Sequence, residues 1–242
     1  MRIDLYLSEN ALCRSRTEAK NLIAEGKVTV DGKVVTKPSF DVSGDEKIGV
    51  DRSDVRYVSR GGIKLEAALD EFSLDVLGAL AIDVGASTGG FTDCLLQRGA
   101  AHVIAVDSGD MQLSDTLRND TRVTVMEKFN ARYMTASDFE YSPSLAVMDV
   151  SFISATLIFP ALSSVLSPGA DFVCLVKPQF EVGKNGLGKG GIVKSDALRK
   201  GALENVIASA AACGFSHIKT ITSPILGGDG NVEYLVHFRK ES

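Results

Sequence analysis

Tryptophan is absent from this 242-residue sequence, and histidine and cysteine are scarce. The three histidines show no metal-ligand spacing, and His102 and His237 fall inside runs that are predicted to be strands. No Cys-x-x-Cys pair occurs, so the cysteines are expected to be reduced core residues of a cytoplasmic protein. We therefore expect neither a metal site nor a disulfide framework. The cysteines are Cys13, Cys94, Cys174 and Cys213.

The sequence predicts neither a secretory leader nor a membrane-spanning segment. The chain carries charges at Arg2 and Asp4, where a signal peptide would lead into its apolar core. The most apolar stretch, residues 145–166, contains Asp149 and Pro160, so a strand followed by a helix explains it better than a membrane span. The expected location is the cytoplasm, with no membrane partner.

The charge balance limits the classes of partner. The net charge is −5, which argues against a protein that coats nucleic acid by charge alone, but basic residues outnumber acidic ones in residues 1–64. Hydrophobic residues make up 45% of the chain, enough for a buried core. Length and composition together predict one full α/β domain with a small companion domain.

A short apolar run that breaks into glycines is the most informative stretch of the chain. Residues 80–93 read Leu-Ala-Ile-Asp-Val-Gly-Ala-Ser-Thr-Gly-Gly-Phe-Thr-Asp, which predicts a strand that stops at Asp83, a glycine turn and a helix. Gly85, Gly89 and Gly90 let backbone N–H groups approach a ligand, and the helix directs its positive end to the same place. This arrangement predicts a nucleotide-like cofactor.

An acidic residue completes the pattern of a nucleoside site. The next apolar run, residues 102–106, is followed by Asp107. An acid roughly 20 residues after the first glycine of such a loop accepts hydrogen bonds from the ribose hydroxyls, and Asp107 stands at about this distance from Gly85. Nicotinamide and S-adenosylmethionine (SAM) enzymes share this device. The spacing of the glycines around Ser87 departs from the Gly-x-Gly-x-x-Gly of dinucleotide sites, which favours SAM. A nicotinamide-dependent oxidoreductase on the same type of sheet is the alternative.

Residues 1–50 are predicted to form a separate small domain. A first helix opens near Arg2, and a second is introduced by Ser15 and Thr17 as cap candidates and ended by Gly26. Residues 28–35 then alternate around an Asp-Gly pair, which is the signal of a β-hairpin. Two helices and a hairpin make a compact α+β unit.

The motifs of this segment are Arg-x-Asp-x-x-Leu and Ser-Arg-x-x-Ala-x-x-Leu-Ile-x-x-Gly-x-Val-x-Val-Asp-Gly. They closely resemble the RNA-binding domain named for small-subunit ribosomal protein four. The resemblance implies that the second helix and the hairpin grip structured RNA through phosphate contacts, which position RNA without reading its sequence. Ordinary solvated charges are the alternative interpretation. The implied RNA-binding residues are Arg14, Arg16, Lys20, Lys27 and Lys33.

The rest of the chain alternates apolar runs with helical segments. This pattern predicts βαβ units around a mostly parallel sheet with helices on both faces. In such sheets ligands bind beyond the carboxyl ends of the strands. The predicted strands are residues 80–84, 102–106, 122–126, 145–150, 172–176 and 234–238.

Four charged residues form the candidate catalytic set. Asp149 and Lys177 lie at the ends of two apolar runs. Lys64 lies in the first turn of a helix predicted after a Gly-Gly pair, and Glu233 directly precedes the last strand. A lone buried charge is costly, so charges of opposite sign at neighbouring strand ends should face each other or a shared ligand. Structural salt bridges without a catalytic role are the alternative.

The charged set together with the glycine loop resembles the FtsJ-like RNA 2′-O-methyltransferases. The domain order and the motifs Ser-Arg-Gly-Gly-x-Lys-Leu, Met-Asp-Val-Ser-Phe-Ile-Ser and Val-Lys-Pro-Gln-Phe-Glu are similar to those of the TlyA (haemolysin A) family of ribosomal RNA methyltransferases. The resemblance covers nearly the whole chain. It implies a Rossmann-like SAM-dependent methyltransferase domain that modifies the ribose of cytidine, with ribosomal RNA or ribosomal subunits as partner.

The resemblance also implies a role for each residue. Lys177 would lie near the ribose oxygen and stabilise the alkoxide that develops as its proton leaves. Asp149 and Glu233 would hold the lysines in place, and Lys64 would complete the polar cluster. Asn130 would lie beside the adenine, although a polar residue after a strand is commonly a turn former. The implied cofactor-binding residues are Asp83, Gly85, Ser87, Gly89, Gly90, Asp107 and Asn130.

A glycine-rich and lysine-rich segment, residues 183–191, matches the first seven places of a phosphate-loop pattern. Gly190 stands where a Ser or Thr would bind magnesium, and no strand–loop–helix context surrounds the segment. Nucleotide hydrolysis is therefore not expected. A mobile basic loop over the RNA is the preferred interpretation.

The predicted organisation is an RNA-binding domain in residues 1–50, a linker in residues 51–60 and a methyltransferase domain in residues 61–242. A membrane-active haemolysin is the alternative that the older family name suggests. Neither a membrane span nor a strongly amphipathic basic helix supports that alternative in the sequence.

Overall fold

The computed structural model describes residues 1–13, 16–24, 26–51 and 56–241. The chain divides into two compact units, Met1–Val55 and Arg56–Ser242. Tyr57, near the end of the predicted linker, is buried in the apolar core of the second unit. Residues 57–60 therefore pack with the second unit.

Two short helices and a three-stranded antiparallel sheet form the first unit. Ile3, Leu7 and Ile23 are fully buried and belong to its core. The predicted hairpin is confirmed, and Asp31 and Gly32 both take positive φ at its turn, as a two-residue hairpin turn requires. The elements are α1 (Ile3–Glu9), α2 (Arg16–Ala24), β1 (Val28–Val30), β2 (Lys33–Val34) and β3 (Ile48–Val50).

A seven-stranded sheet forms the second unit. Its strands are β4 (Leu80–Val84), β5 (His102–Val106), β6 (Val123–Met126), β7 (Leu145–Met148), β8 (Asp171–Val176), β9 (Phe215–Thr222) and β10 (Tyr234–Lys240). The order across the sheet is β6-β5-β4-β7-β8-β10-β9. The pairs from β6 to β8 are parallel, whereas β10 runs antiparallel to both β8 and β9. The prediction of a mostly parallel sheet is confirmed.

Helices cover both faces of this sheet. They are α3 (Gly61–Phe72), α4 (Gly90–Gln97), α5 (Asp115–Arg118), α6 (Phe159–Val165), α7 (Pro178–Glu181) and α8 (Asp196–Ala212). The helix predicted after the Gly-Gly pair is confirmed as α3, which buries Leu65, Ala68 and Leu69 at helical spacing. Ser195 caps α8 by accepting a hydrogen bond from the backbone N–H of Leu198.

Alternating side chains of the strands supply two apolar cores. In β4, Ile82 and Val84 face the core that contains Phe159 of α6. Ala81 faces the other core, with Leu65 of α3. Full burial of a Leu, Ile or Phe side chain stabilises the fold by about 1.5–3 kcal/mol. The two cores fix the strand ends, and the loops after those ends carry the candidate site.

One strand of the sheet was not predicted from the sequence. β9 is an edge strand in which Phe215 is buried and most other residues are exposed or half-buried, so it lacks the apolar run of an interior strand. Four strand boundaries also differ from the prediction, by one residue at the starts of β6 and β8 and by two residues at the ends of β7 and β10. β7 ends at Met148, and β10 extends to Lys240 because it pairs with β9 along its whole length.

No described helix has the length and apolar content needed to cross a membrane. The four cysteines form no disulfide with one another, and Cys13, Cys94 and Cys174 are buried. Within the described ranges, no group of three or more His, Cys, Asp or Glu residues is arranged to hold a metal ion.

Candidate active site

The candidate site lies at the carboxyl ends of the parallel strands, where the strand order reverses between β4 and β7. A reversal of this kind leaves a crevice, because the connections leave the two strands in opposite directions. Gly85 follows β4 and Asp149 follows β7. The backbone N–H of Asp149 donates to the carbonyl of Val84 at 3.0 Å, so the glycine loop and the first acid of the catalytic set meet there.

Gly85 and Ser87 form the loop that faces this crevice. Gly85 has φ +84°, and a Cβ there would lie 2.6 Å from the carbonyl oxygen of Asp149. Only glycine fits that close approach. Ser87 also has a positive φ, and its backbone N–H donates to Asp107 Oδ2 at 2.8 Å. This bond links the loop after β4 to the loop after β5.

Gly89 and Gly90 begin α4 but face different surroundings. Gly90 lines the crevice, and a Cβ there would lie 2.2 Å from Ser59 Oγ. Gly89 has φ +96°, and a Cβ there would lie 2.2 Å from Leu117 Cδ1. Gly89 therefore sets the conformation of the loop, and its contact with the cofactor stays a prediction.

Asp83 is fully buried beneath the glycine loop. Thr92 Oγ1 donates to its Oδ2 at 2.7 Å, while its buried Oδ1 has no hydrogen-bond partner among the described residues. Burial raises the pKa of Asp83 to about 7. The carboxyl group braces the start of α4 from below and does not reach the crevice. Asp83 is not among the residues that line the two cavities described below, and its role in cofactor binding stays a prediction.

The larger of two cavities at the site has a volume of about 430 Å³. Asp107 lies on its wall, and its Oδ1 accepts a hydrogen bond from Gly109 N at 2.7 Å. Asn130 lies on the same wall and also caps a 3-10 turn by accepting from Arg132 N at 3.1 Å. Phe129 contributes an apolar surface. The volume and this mixed lining are typical of a small-molecule site.

The smaller cavity has a volume of about 250 Å³. Lys64, Asp149 and Lys177 all line it, so three of the four candidate catalytic residues converge there. The two cavities share part of their walls. The shared residues are Gly85, Ser87, Asp149 and Ser151. These residues mark the place where ligands in the two cavities would meet.

Lys64 and Glu233 form a buried ion pair on one side of the smaller cavity. Lys64 Nζ donates to Glu233 Oε2 at 2.6 Å, and the two residues are 8% and 2% exposed. The pair joins α3 to the residue before β10. Gly227 covers the carboxylate, because a Cβ there would lie 2.4 Å from Glu233 Oε1. Glu233 therefore acts from behind Lys64.

Lys177 and Asp149 form the second ion pair of the site. Lys177 Nζ lies 2.6 Å from Asp149 Oδ1 and donates to Ser151 Oγ at 2.7 Å. The Lys177 side chain is 11% exposed, so this cation is largely removed from water. The structure thus gathers Lys64, Asp149, Lys177 and Glu233 from distant parts of the chain. Their catalytic roles stay predictions.

Ser151 and Glu181 were missed as functional residues, although both lie in motifs quoted from the sequence. Glu181 ends α7, the helix that begins directly after Lys177. Its carboxylate accepts from Ser154 Oγ at 2.5 Å and from Ala155 N at 2.9 Å. It therefore ties the loop after β7 to the segment after β8. The sequence signal that could have identified Ser151 and Glu181 is that both are polar residues within these two motifs.

Glu127 is a second anchor that was missed. Its carboxylate accepts hydrogen bonds from the backbone N–H groups of Met111, Gln112 and Leu113, and it pairs with Arg118 at 2.7 Å. Burial alone would raise the pKa of Glu127, but the hydrogen bonds from Arg118 and the three backbone groups lower it to about 2. Gln112 lines the larger cavity, so Glu127 shapes that wall.

Phe152 stands at the edge of the larger cavity and was also missed. Its side chain is 92% exposed, and its backbone takes a positive φ of 64°. Its ring centroid lies 5.3 Å from that of Phe180. A phenylalanine this exposed in a left-handed conformation is unusual in a folded domain and indicates a contact surface.

The glycine-rich and lysine-rich segment, residues 183–191, contains two 3-10 turns and follows a helix, so it has no phosphate-loop context. Buried Asn231 holds the end of the segment. Its Oδ1 accepts from Val193 N at 2.9 Å, and its Nδ2 donates to Gly191 O at 3.1 Å. The predicted mobility of this loop over RNA stays a prediction.

The predicted RNA-binding residues lie in the first unit, apart from Arg14, which is outside the described residues. Lys20 and Lys33 are exposed, whereas Lys27 is half-buried. Arg16 Nε donates to the fully buried Asp4 at 2.9 Å, yet 44% of the Arg16 side chain stays exposed. Burial alone would raise the pKa of Asp4, but hydrogen bonds from Arg2 and Arg16 lower it.

Two families match this chain. The FtsJ-like methyltransferase family matches residues 57–240, and the S4 domain matches residues 1–48. The first match covers the sheet and both cavities. The second covers the unit that carries the predicted RNA-binding residues.

Relatives match over nearly the full length. The 16S/23S rRNA (cytidine-2'-O)-methyltransferase TlyA of Mycobacterium tuberculosis is 45% identical over 100% of this chain and 90% of its own. Hemolysin A of Brachyspira hyodysenteriae is 44% identical over 98% of this chain and 99% of its own. The solved structure of a putative hemolysin from Streptococcus thermophilus has a TM-score of 0.82 and 44% identity, covering 100% of this chain and 89% of that one.

Proposed function

The chain belongs to the FtsJ-like methyltransferase family, and we propose that it transfers a methyl group from SAM to the ribose 2′-hydroxyl of a cytidine in ribosomal RNA. Its 45% identical relative from Mycobacterium tuberculosis is named for that reaction on 16S and 23S rRNA. An enzyme of this kind would act on ribosomal RNA or ribosomal subunits in the cytoplasm. The observation that carries the proposal is the position of Lys177, paired with Asp149 on the cavity that opens onto the glycine loop.

The crevice fits SAM as cofactor. Asp107 would accept hydrogen bonds from the ribose hydroxyls, since each of its oxygens has a further lone pair beyond the one used by Ser87 or Gly109. Gly85 lets the loop backbone approach the methionine part without a Cβ. Phe129 offers an apolar surface for the adenine, next to Asn130. The larger cavity would thus hold the nucleoside.

The bound cofactor supplies a methyl group that its sulfonium already activates. The protein must therefore act on the acceptor hydroxyl, which is a poor nucleophile. Lys177, held by Asp149, is positioned to stabilise the negative charge that develops on the 2′-oxygen as its proton leaves. Lys64, held by Glu233, adds a second positive charge to the same cavity.

The substrate side of the crevice offers further contacts. The exposed ring of Phe152 would stack on an unpaired base, because such stacking is a common way to hold single-stranded RNA. In the first unit, Lys20, Lys33 and the exposed part of Arg16 would contact phosphates. We propose that this unit brings ribosomal RNA to the enzyme.

Transfer of labelled methyl groups from SAM to ribosomal RNA tests the proposal. Wild-type protein is expected to label ribosomal subunits that lack the modification, and Lys177→Ala is expected to lose roughly 10²–10⁴-fold in rate, the usual worth of acid–base assistance. Lys219→Ala is the matched control, because Lys219 is a half-exposed lysine of the edge strand β9. Absence of transfer to any ribosomal RNA would refute the proposal.

Two further measurements address the alternatives. Calorimetry with SAM and with NAD separates a methyltransferase from a nicotinamide enzyme, and the family match favours SAM. Leakage of lipid vesicles tests the membrane activity that the name of the Brachyspira relative suggests. Mapping 2′-O-methylated positions in ribosomal RNA with and without the protein identifies the target nucleotide and the subunit.

A further inference from the structure

We propose that Ser151 is a positioning residue for methyl transfer, whose hydroxyl works with the Asp149 carboxylate to orient Lys177 Nζ toward the acceptor oxygen. This inference rests on the proposed function and adds a residue to its machinery. Ser151 lies two residues after Asp149, and both side chains hold the same amine. Ser151 also lies on the wall shared by the two cavities.

Ser151 gives the ammonium group of Lys177 a directed hydrogen bond. A lysine ammonium group has three N–H donors. Ser151 Oγ accepts a hydrogen bond from one of them at 2.7 Å, whereas Asp149 Oδ1 lies 2.6 Å from Nζ as an ion-pair partner without the geometry of a hydrogen bond. The hydrogen bond to Ser151 fixes one N–H direction, and the other two are then shared between the Asp149 carboxylate and the cavity that Lys177 lines. With the ion pair to Asp149 alone, the ammonium group would rotate about its C–N bond, and no N–H direction would be selected.

The loop that carries Ser151 is braced on both sides. The backbone N–H of Asp149 donates to Val84 O at 3.0 Å. Beyond Ser151, Glu181 accepts from Ser154 Oγ at 2.5 Å and from Ala155 N at 2.9 Å. Because Glu181 belongs to the helix that follows Lys177, these bonds fix the distance between Ser151 and the lysine. Precise placement of this kind is worth most at a reacting atom.

A hydroxyl suits this position better than a second carboxylate. It accepts a hydrogen bond from an ammonium group and donates one to a neutral amine, whereas a carboxylate only accepts. Ser151 therefore keeps its contact with Lys177 Nζ whether or not the amine carries the extra proton. Asp149 can still accept an N–H of the neutral amine but cannot donate to its lone pair, so the two residues have different roles at the same atom.

Steady-state kinetics of Ser151→Ala and Ser151→Thr test the proposal, with SAM affinity measured by calorimetry on the same samples. We expect Ser151→Ala to lower kcat roughly 10- to 100-fold, as a small misplacement of a reacting group does. The SAM affinity should stay unchanged, and Ser151→Thr, which keeps the hydroxyl, should recover most of the rate. Ser164→Ala is the matched control, because Ser164 is exposed on α6 and its hydroxyl donates to Ala161 O.

A second measurement needs no RNA. Labelling of lysines by trinitrobenzenesulfonate, read by mass spectrometry, reports how firmly each amine is held. We expect Lys177 to be labelled roughly tenfold faster in Ser151→Ala, because it loses a hydrogen bond made by a charged group. Lys64, held by Glu233, should be labelled at an unchanged rate and serves as the internal reference.

The outcomes separate this proposal from the proposed function. Wild-type protein that methylates no ribosomal RNA refutes the function, and the labelling experiment then decides the role of Ser151 by itself. A Ser151→Ala variant with wild-type kcat and wild-type Lys177 labelling refutes the positioning role. Loss of SAM affinity in Ser151→Ala, or no recovery in Ser151→Thr, also refutes it, because the serine would then act on the fold of the loop.

Discussion

The buried pair of Lys64 and Glu233 gives the sharpest quantitative prediction. Their charged atoms lie 2.6 Å apart, and the side chains are 10% and 3% exposed. Removing one partner leaves an uncompensated buried charge, which costs about 3–5 kcal/mol of the free energy of unfolding. We therefore expect Lys64→Met and Glu233→Gln each to lower that free energy by about this amount.

The double variant Lys64→Met/Glu233→Gln distinguishes a coupled pair from two independent residues. It carries neither charge, so its loss of stability should be smaller than the sum of the single losses by up to about 3 kcal/mol. Methyl transfer should still be lost, because the cavity then lacks the Lys64 cation. A stable but inactive double variant would show that the pair is kept for chemistry.

Urea unfolding followed by circular dichroism measures these free energies. The matched control is the ion pair of Lys128 and Asp110, whose charged atoms lie 2.7 Å apart but whose side chains are 70% and 54% exposed. Asp110→Asn should change stability by about 0–1 kcal/mol, since exposed ion pairs contribute little. If the Lys64 and Glu233 losses simply add to within about 0.5 kcal/mol, the two residues are not coupled and the reasoning fails.

Three other changes have definite expected results. Glu127→Gln should lower the affinity for SAM roughly tenfold, measured by calorimetry, because Glu127 holds the loop at Met111 to Leu113. Since the pKa of Glu127 is lowered to about 2, its contribution to stability is present above about pH 4.5 and is lost as the pH falls through 2. A stability difference between this variant and wild type that persists undiminished at pH 2 would contradict this prediction. Asp83→Asn should become increasingly stabilising relative to wild type as the pH rises from 5 to 8, measured by thermal unfolding. The pKa of Asp83 is raised to about 7, so the contribution of its protonated carboxyl group to stability is greatest in acid and is lost as the pH passes 7. Parallel plots of melting temperature against pH for the two proteins would refute this. Gly85→Ala should abolish SAM binding and destabilise the fold by more than Gly169→Ala, because Gly169 has a comparable φ of +76° but open space where a Cβ would stand. Equal losses of stability would show that the close approach of Gly85 to Asp149 is unimportant.

Several features followed from the sequence because their causes are local. The glycine loop after β4 was predicted from its glycines, and Gly85 does take a conformation and a contact that exclude a Cβ. The hairpin between β1 and β2 followed from its Asp-Gly turn for the same reason. The interior parallel strands were predicted because burial on both faces requires continuous apolar runs. The edge strand β9 has no such requirement and was missed.

Contacts between distant segments could be decided only by the tertiary structure. Lys64 and Glu233 are 169 residues apart in the chain. No local sequence pattern indicates that Lys64 pairs with Glu233 and not with Asp149, or that Glu233 pairs with Lys64 and not with Lys177. The same holds for Glu127, whose three backbone donors come from another loop. Strand order decides which loops become neighbours, and that order depends on packing over the whole sheet. The sequence by itself therefore determined which chemical groups this protein carries, and the fold determined which of them share a cavity.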